Sequence, residues 1–192
     1  ELGYKIKLLG NSEVSFNKNN KEEFFCSVEP WLIPKNYGLS NVSGVLNAVQ
    51  VQSSLAGSVM ITGAGAGGEP TASAVLADIV DFANKTKLLS FGRNSSKIKN
   101  NYNTNTYTEK FRFYLRLNVI DKSGVLASLT SIFRDHELSI ESFIQKSNHE
   151  DKTAELVIIT HEASKSMLDK ALLSINKLDG VISDPVCLSI YS

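Results

Sequence analysis

Residues 4–10, YKIKLLG, alternate polar and apolar side chains with the two-residue period of a half-buried strand. A polar, turn-rich stretch follows (NSEVSFNKNNKEE, 11–23), then a second strand, FFCSVEP (24–30), ended by Pro30; the two can pair as a long hairpin. WLIPKNYGLSN (31–41) reads as irregular, with prolines and a glycine close together. Asn41 or Ser43 can cap a short helical turn before VLNAVQVQSS (45–54), which becomes strand-like, and SVMIT (58–62) is a further strand. A helix is expected from about Glu69 to Asn84, with Val75, Ile79, Phe82 and Ala83 as its apolar stripe and Pro70 in its first turn, where no intrahelical donor is lost.

The stretch GRNSSKIKNNYNTNTYTEK (92–110) is rich in Asn, Ser, Thr and Lys and too poor in aliphatic residues to offset its ordering entropy. It reads as a linker with one short ordered patch around Ile98, and it sets the expected division: a first region at 1–90, a linker at 91–110 and a second region at 111–192.

Beyond it the periods are regular. FRFYLRLNVI (111–120) alternates as a strand. From Gly124 to Asp135 the apolar positions Val125, Leu126, Leu129, Ile132 and Phe133 have helical spacing. LSIESFIQKS (138–147) and AELVIIT (154–160) are strands joined by the turn NHEDKT (148–153). Ser164 caps a helix whose face is Met167, Leu168, Ala171, Leu172, Ile175 and Leu178, stopped by Gly180, and VISDPVCLSIY (181–191) is the last strand. The order β-α-β-β-α-β is that of a ferredoxin-like unit, so the fold class is α+β: a partial mixed sheet followed by a βαββαβ domain.

Charge narrows the partners. Twenty basic side chains balance 20 acidic ones over 192 residues, which gives no general attraction to nucleic acid or to anionic membranes. Cys26 and Cys187 fall in no metal-ligand spacing, and their apolar flanks predict buried free thiols of a reducing, cytoplasmic protein. No apolar run approaches a bilayer span and none reads as a signal peptide. The chain opens at Glu1, without methionine, on the approach to a strand, which predicts a piece of something longer. His136, His149 and His161 fall at turns or strand ends and read as surface residues; no Ser-His-Asp constellation and no metal site is visible.

The stretch GAGAGGEP (63–70) contains G-x-G-x-x-G between a strand and a helix, the spacing that cradles a dinucleotide pyrophosphate. That reading also requires a second parallel strand and an acidic residue about 20 positions on. Here only KLLSFG and the linker follow, Asp81 lies inside the helix, and Glu69 puts a carboxylate where a phosphate would sit. The residues alone leave two readings open, a dinucleotide domain and a glycine turn that brings helix and strand close; a third, a turn serving a site whose main fingerprint lies elsewhere, does not come from the residues alone.

The last reading gains from a resemblance. The run YGLSNVSGVLNAVQVQSSLAGSVMITGAGAGGEPTASAVLADIVDFA resembles the closing segment of homoserine dehydrogenase, specifically over 38–80 and more loosely over 3–85. The resemblance implies an oxidoreductase interconverting L-aspartate 4-semialdehyde and L-homoserine with NAD or NADP, in threonine and methionine biosynthesis. It implies that Gly63, Gly65, Ala66 and Gly67 lie near the nicotinamide end of the cofactor, that the strands before them belong to a sheet pairing two subunits, and that the helix packs on a nucleotide domain. The family's Rossmann domain and catalytic lysine lie upstream of Glu1; Lys5 and Lys7 read as a solvated strand face, so no catalytic residue is assigned and the isolated chain is expected to be inactive.

In the second region, VIDKSGVLASLTSIFRDHELSIESFIQ (119–145) resembles an ACT domain, with the resemblance spanning about 111–192. It implies an effector amino acid, threonine first, bound between the first strand and first helix, often at a dimer interface, and a homo-oligomer that is a dimer or dimer of dimers. Physically, Gly124 permits a tight turn, the first-turn N–H groups after Ser123 (Val125 and Leu126 among them) can bind a carboxylate, Asp121 can face an ammonium, and Ser139 can contact either group. Asp121 is equally suited to cap the helix, and Ser139 to plain surface. The rival reading is a non-catalytic ACT-type amino-acid-binding regulatory or dimerisation protein.

Overall fold

The computed structural model describes residues 2–16, 19–20, 22–85, 94–98, 109–148 and 150–191. Among these described residues nine strands run in chain order: β1 Tyr4–Phe16, β2 Glu22–Pro34, β3 Leu46–Ser53, β4 Gly57–Ala64, β5 Lys110–Ile120, β6 Ile140–Asn148, β7 Thr153–Thr160, β8 Ala163–Ser164 and β9 Val186–Ile190. Three α-helices join them: α1 Gly68–Ala83, α2 Val125–Asp135 and α3 Lys165–Ile175. The chain forms two compact units, Glu1–Pro34 with Asn103–Ser192, and Lys35–Tyr102. The region expected as 1–90 is therefore shared between them. Most of the 92–110 stretch lies outside the described residues; within it, Ser95–Lys97 form a 3-10 turn beside Ile98.

In the first unit the sheet order is β1-β2-β9-β5-β7-β6, with β8 pairing the start of β5. Strands β5, β9, β7 and β6 with α2 and α3 make the βαββαβ unit read from the periods. Alternation decides which face is core. Phe113, Leu115, Leu117 and Val119 of β5 and Ala154, Leu156 and Ile158 of β7 point to one side, where they bury against Leu129 and Phe133 of α2 and Leu168, Ala171 and Ile175 of α3. Each such aliphatic or aromatic side chain contributes about 1.5–3 kcal/mol by leaving water. Ser164 caps α3 as expected, its Oγ accepting from Met167 N–H at 3.3 Å.

The hairpin β1–β2 extends further than the alternation indicates. It pairs without a break from Tyr4↔Pro34 to Phe16↔Glu22, through the polar stretch and through Pro30. Pro30 and Pro34 bracket Trp31 and Leu32, the two β2 residues that pair in parallel with Ser189 and Ile190 of β9, so the missing N–H groups fall outside that ladder. Trp31 is only 1% exposed and packs edge-on against Phe111, ring centroids 5.1 Å apart. The last strand is shorter than 181–191; Val181 makes only an isolated bridge to Val119, and regular pairing resumes after Pro185.

The second unit is an antiparallel hairpin, β3–β4, paired from Leu46↔Ala64 to Ser53↔Gly57, followed by α1. A 3-10 turn at Gly38–Asn41 precedes it. No residue of α1 is buried: Ile79 is 57% exposed and Phe82 87%.

Candidate functional site

Two strand-to-helix turns, β4 to α1 and β5 to α2, lie one in each unit. In the second unit β4 carries the chain into the glycine run. Gly65 N–H donates to the Val45 carbonyl at 2.8 Å, and a Cβ at Gly65 would stand 1.5 Å from Asn47 Nδ2, so only glycine fits beside Asn47 as placed. Gly67 is the residue before α1, with φ 125° and ψ 150°, a conformation that disfavours any side chain. Its carbonyl is occupied: Thr71 donates to it twice, from N–H at 3.2 Å and from Oγ1 at 2.7 Å. Gly63, Gly65, Ala66 and Gly67 are all exposed, no side chain caps α1, and Glu69 sits in its first turn. The turn can therefore approach a flat ligand closely, while Glu69 opposes a phosphate at the helix end. Lys5 is exposed and Lys7 half-buried, both on β1 of the other unit.

The second turn connects β5 to α2. Asp121, Lys122, Ser123 and Gly124 are exposed, Val125 is half-buried against the core, and Leu126 is exposed. Gly124 adopts the left-handed conformation, φ 96° and ψ −26°, as the residue before α2. No side chain caps this helix, so the capping role open to Asp121 is not taken and its carboxylate is left for other work. The turn is fixed from its flanks: Asp121 N–H donates to the Lys152 carbonyl at 2.8 Å, Ile120 N–H to the Gly180 carbonyl at 2.8 Å, and Ile182 N–H to the Asn118 carbonyl at 2.8 Å. Val125 N–H donates to the Lys122 carbonyl at 3.4 Å, which leaves the N–H groups after it in the first turn at a helix start that no side chain caps.

Ser139 is not brought to this turn. It precedes β6, and its carbonyl accepts from His161 N–H, beyond the far end of β7; Asp121 sits beside Lys152, just before the near end. The eight residues of β7 separate these positions, about 23 Å from its first to its last residue at about 3.3 Å per step. The parallel course of β5 and β6 puts their starts together, and a residue at the start of one cannot reach the end of the other. What the sequence reading missed at the turn is Lys152 and the 180–182 segment; Gly180 was legible only as a helix stop.

Two smaller expectations change, those for Cys26 and His136. Cys26 is exposed, on the outer face of the hairpin with its Sγ 3.4 Å from Ser12 Oγ, while Cys187 is the half-buried thiol; both are free. Burial pushes the Cys187 thiol up to about 12, with Asp169 and Glu29 reinforcing it and Lys165 opposing. His136 is half-buried, its Nε2 3.0 Å from Ser174 Oγ, His161 is exposed, and His149 lies outside the described residues. Among the described residues no His, Cys, Asp and Glu group has the arrangement of a metal site, and no helix is long and apolar enough to cross a membrane.

Comparison with known proteins fits this geometry. Residues 113–180 match the family model of the ACT domain, so the first unit carries a module of that class. Residues 1–80 match the model described as homoserine dehydrogenase. The homoserine dehydrogenase of Neisseria gonorrhoeae is 35% identical over 189 residues, 94% of this chain and 42% of the relative. That of Pseudomonas aeruginosa is 34% identical over 194 residues, 96% of this chain and 43% of the relative. A solved homoserine dehydrogenase from Thiobacillus denitrificans superposes with a TM-score of 0.83 at 31% identity, covering 99% of this chain and 43% of that one. The chain belongs to the homoserine dehydrogenase family and bears an ACT domain; it spans less than half the length of the relatives it matches.

Proposed function

We propose that this chain works as part of an NAD(P)-dependent homoserine dehydrogenase, interconverting L-aspartate 4-semialdehyde and L-homoserine on the route to threonine and methionine, in the cytoplasm. The observation that carries the proposal is the match of residues 1–80 to that family combined with the bare apolar stripe of α1, Val75, Ile79 and Phe82. Such a stripe is built to be covered, and in the working enzyme its cover is the nucleotide-binding domain. Gly63, Gly65, Ala66 and Gly67 then stand at the nicotinamide end of NAD or NADP, lending close backbone approach. The hydride donor and the base for the hydroxyl proton come from the rest of the enzyme. The functional division is 1–90, a linker at 91–110 and a regulatory module at 111–192.

In that module the turn after β5 receives an amino-acid effector, with threonine as first candidate. The N–H groups of Ser123, Gly124 and Leu126 take its carboxylate and Asp121 its ammonium, with Val125 beside them, between the copies of a dimer or dimer of dimers. Feedback requires threonine to favour one arrangement of the modules over another. Homoserine oxidation is assayed with NAD and NADP on the 192-residue chain and on the full reading frame that encodes it. Activity only in the longer protein, lowered by threonine there and insensitive to threonine in its Asp121→Asn variant, is the expected result. Absence of activity from both overturns the enzyme and leaves a non-catalytic amino-acid-binding protein.

A further inference from the structure

A cavity of about 270 Å³ opens between the hairpin and α3. Its wall brings together segments far apart in sequence. Phe25, Ser27 and Glu29 alternate along one face of β2, Phe111 starts β5, and Lys165 and Asp169 stand one turn apart on α3. Pairing of Trp31 with Ser189 of β9 holds the hairpin against the helix layer, and Phe25 packs on Phe111 with centroids 5.1 Å apart. All of these residues belong to one compact unit.

The polar groups in this wall are incompletely matched. Lys165 brings one positive charge and Glu29 and Asp169 two negative ones, yet among the described residues none of the three forms an ion pair. Glu29 Oε1 accepts only from Ser189 Oγ, at 3.2 Å, and Lys165 Nζ lies 5.9 Å from the Phe113 ring centroid. Ser27 Oγ is buried with no hydrogen-bond partner. Opposite charges that face one space without touching, beside an unpartnered hydroxyl, describe a receptor for a molecule that carries both charges itself. The volume, just below the roughly 300–1,000 Å³ of sites for drug-sized ligands, suits a molecule of amino-acid size.

We infer that this cavity binds a small zwitterion of the α-amino-acid class, its carboxylate at Lys165, its ammonium between Glu29 and Asp169, and an aliphatic side chain against Phe25 and Phe111. Ser27 Oγ supplies a further hydrogen bond. The site is separate from the turn after β5, which lies at the other end of that strand from Phe111, and does not rest on the effector reading of that turn.

The test is backbone-amide chemical-shift mapping of the 192-residue chain titrated with glycine, L-serine and L-threonine, with acetate and methylammonium as the separate charged halves. Saturable shifts are expected at Ser27, Phe111, Lys165 and Ser189 with at least one amino acid, and none with either half alone. Lys165→Met should weaken the apparent affinity about tenfold or more, the size of a lost charge-assisted contact. Ser27→Ala, which removes neither charge nor core packing, should weaken it about threefold to tenfold, and Asp121→Asn should leave it unchanged. Saturable shifts confined to 121–126 would support the effector turn and overturn this second site. So would shifts at the cavity that neither Lys165→Met nor Ser27→Ala alters, or a folded chain whose cavity amides move with none of the three amino acids.

Discussion

The two units solve the burial of apolar surface in opposite ways. In the first, alternate residues of β5 and β7 vanish beneath α2 and α3, and Phe113, Leu115, Ile158, Leu168 and Ile175 are inaccessible to water or nearly so. In the second, α1 has a comparable apolar stripe and buries none of it, and Val49, Val51, Val59 and Ile61 of the β3–β4 hairpin are equally bare. The difference is one of completeness. The ACT-bearing unit encloses its own core, whereas the 45–85 segment leaves its apolar faces exposed.

The sharpest way to break this contrast is a pair of truncations. Leu168→Ala should cost about 2–5 kcal/mol in denaturant unfolding, and Ile79→Ala within about 0.5 kcal/mol. A large loss at Ile79 would show that α1 is covered in the isolated chain. Cys187 gives the next largest effect. Its thiol titrates near 9.0 when unfolded and near 12 when folded, so the folded state holds the proton more tightly. The resulting stability is complete below pH 9 and is lost as pH climbs toward 12, by at most about 1.4 kcal/mol per pH unit. Unfolding at pH 8.5, 9.5 and 10.5 should therefore fall more steeply for the native chain than for Cys187→Ala, while a thiol reagent labels Cys26 well before Cys187.

Gly67→Ala tests the exposed unit directly. With φ at 125° the added methyl forces a strained backbone costing about 1–3 kcal/mol, read as a shift of the unfolding midpoint of the 45–85 segment with the ACT-bearing unit unmoved. The smallest effect belongs to the surface of the ordered sheet. Arg112 grips Glu141 with two bonds, Nε at 2.7 Å and Nη2 at 2.6 Å, but both side chains are partly in water. Arg112→Gln should cost less than about 1 kcal/mol, and half a molar of salt should erase most of the difference.

The periods along the chain revealed most of the elements because each period reflects one face turned toward a core. β5, α2, β7 and α3 carry that alternation plainly, and Ser164 marks its helix start by chemistry. What stayed illegible is long-range. Nothing local tells β2 to pair with β9, since Trp31 and Ser189 lie about the length of the domain apart in sequence. Pro30 looked like a terminator because its tolerance depends on where the neighbouring ladder begins. The turn at 121–126 was visible from Gly124 and its flanks, whereas Lys152 and Gly180 reach it only through the sheet, and the distance of Ser139 from it within one chain follows from the parallel course of β5 and β6, which composition does not carry. Cys26 and Cys187 have similar apolar neighbours, and only the sheet decides which one faces water.

The parallel seam between β2 and β9, closed by Tyr191 N–H on the Leu32 carbonyl at 2.9 Å, ties the opening of the chain to its final residues. β9 occupies the middle of the sheet rather than its border. Trimming the tail from Val186 onward would therefore split the sheet into halves, strip β2 and β5 of a neighbour at once, and expose two raw edges that invite strands from other molecules.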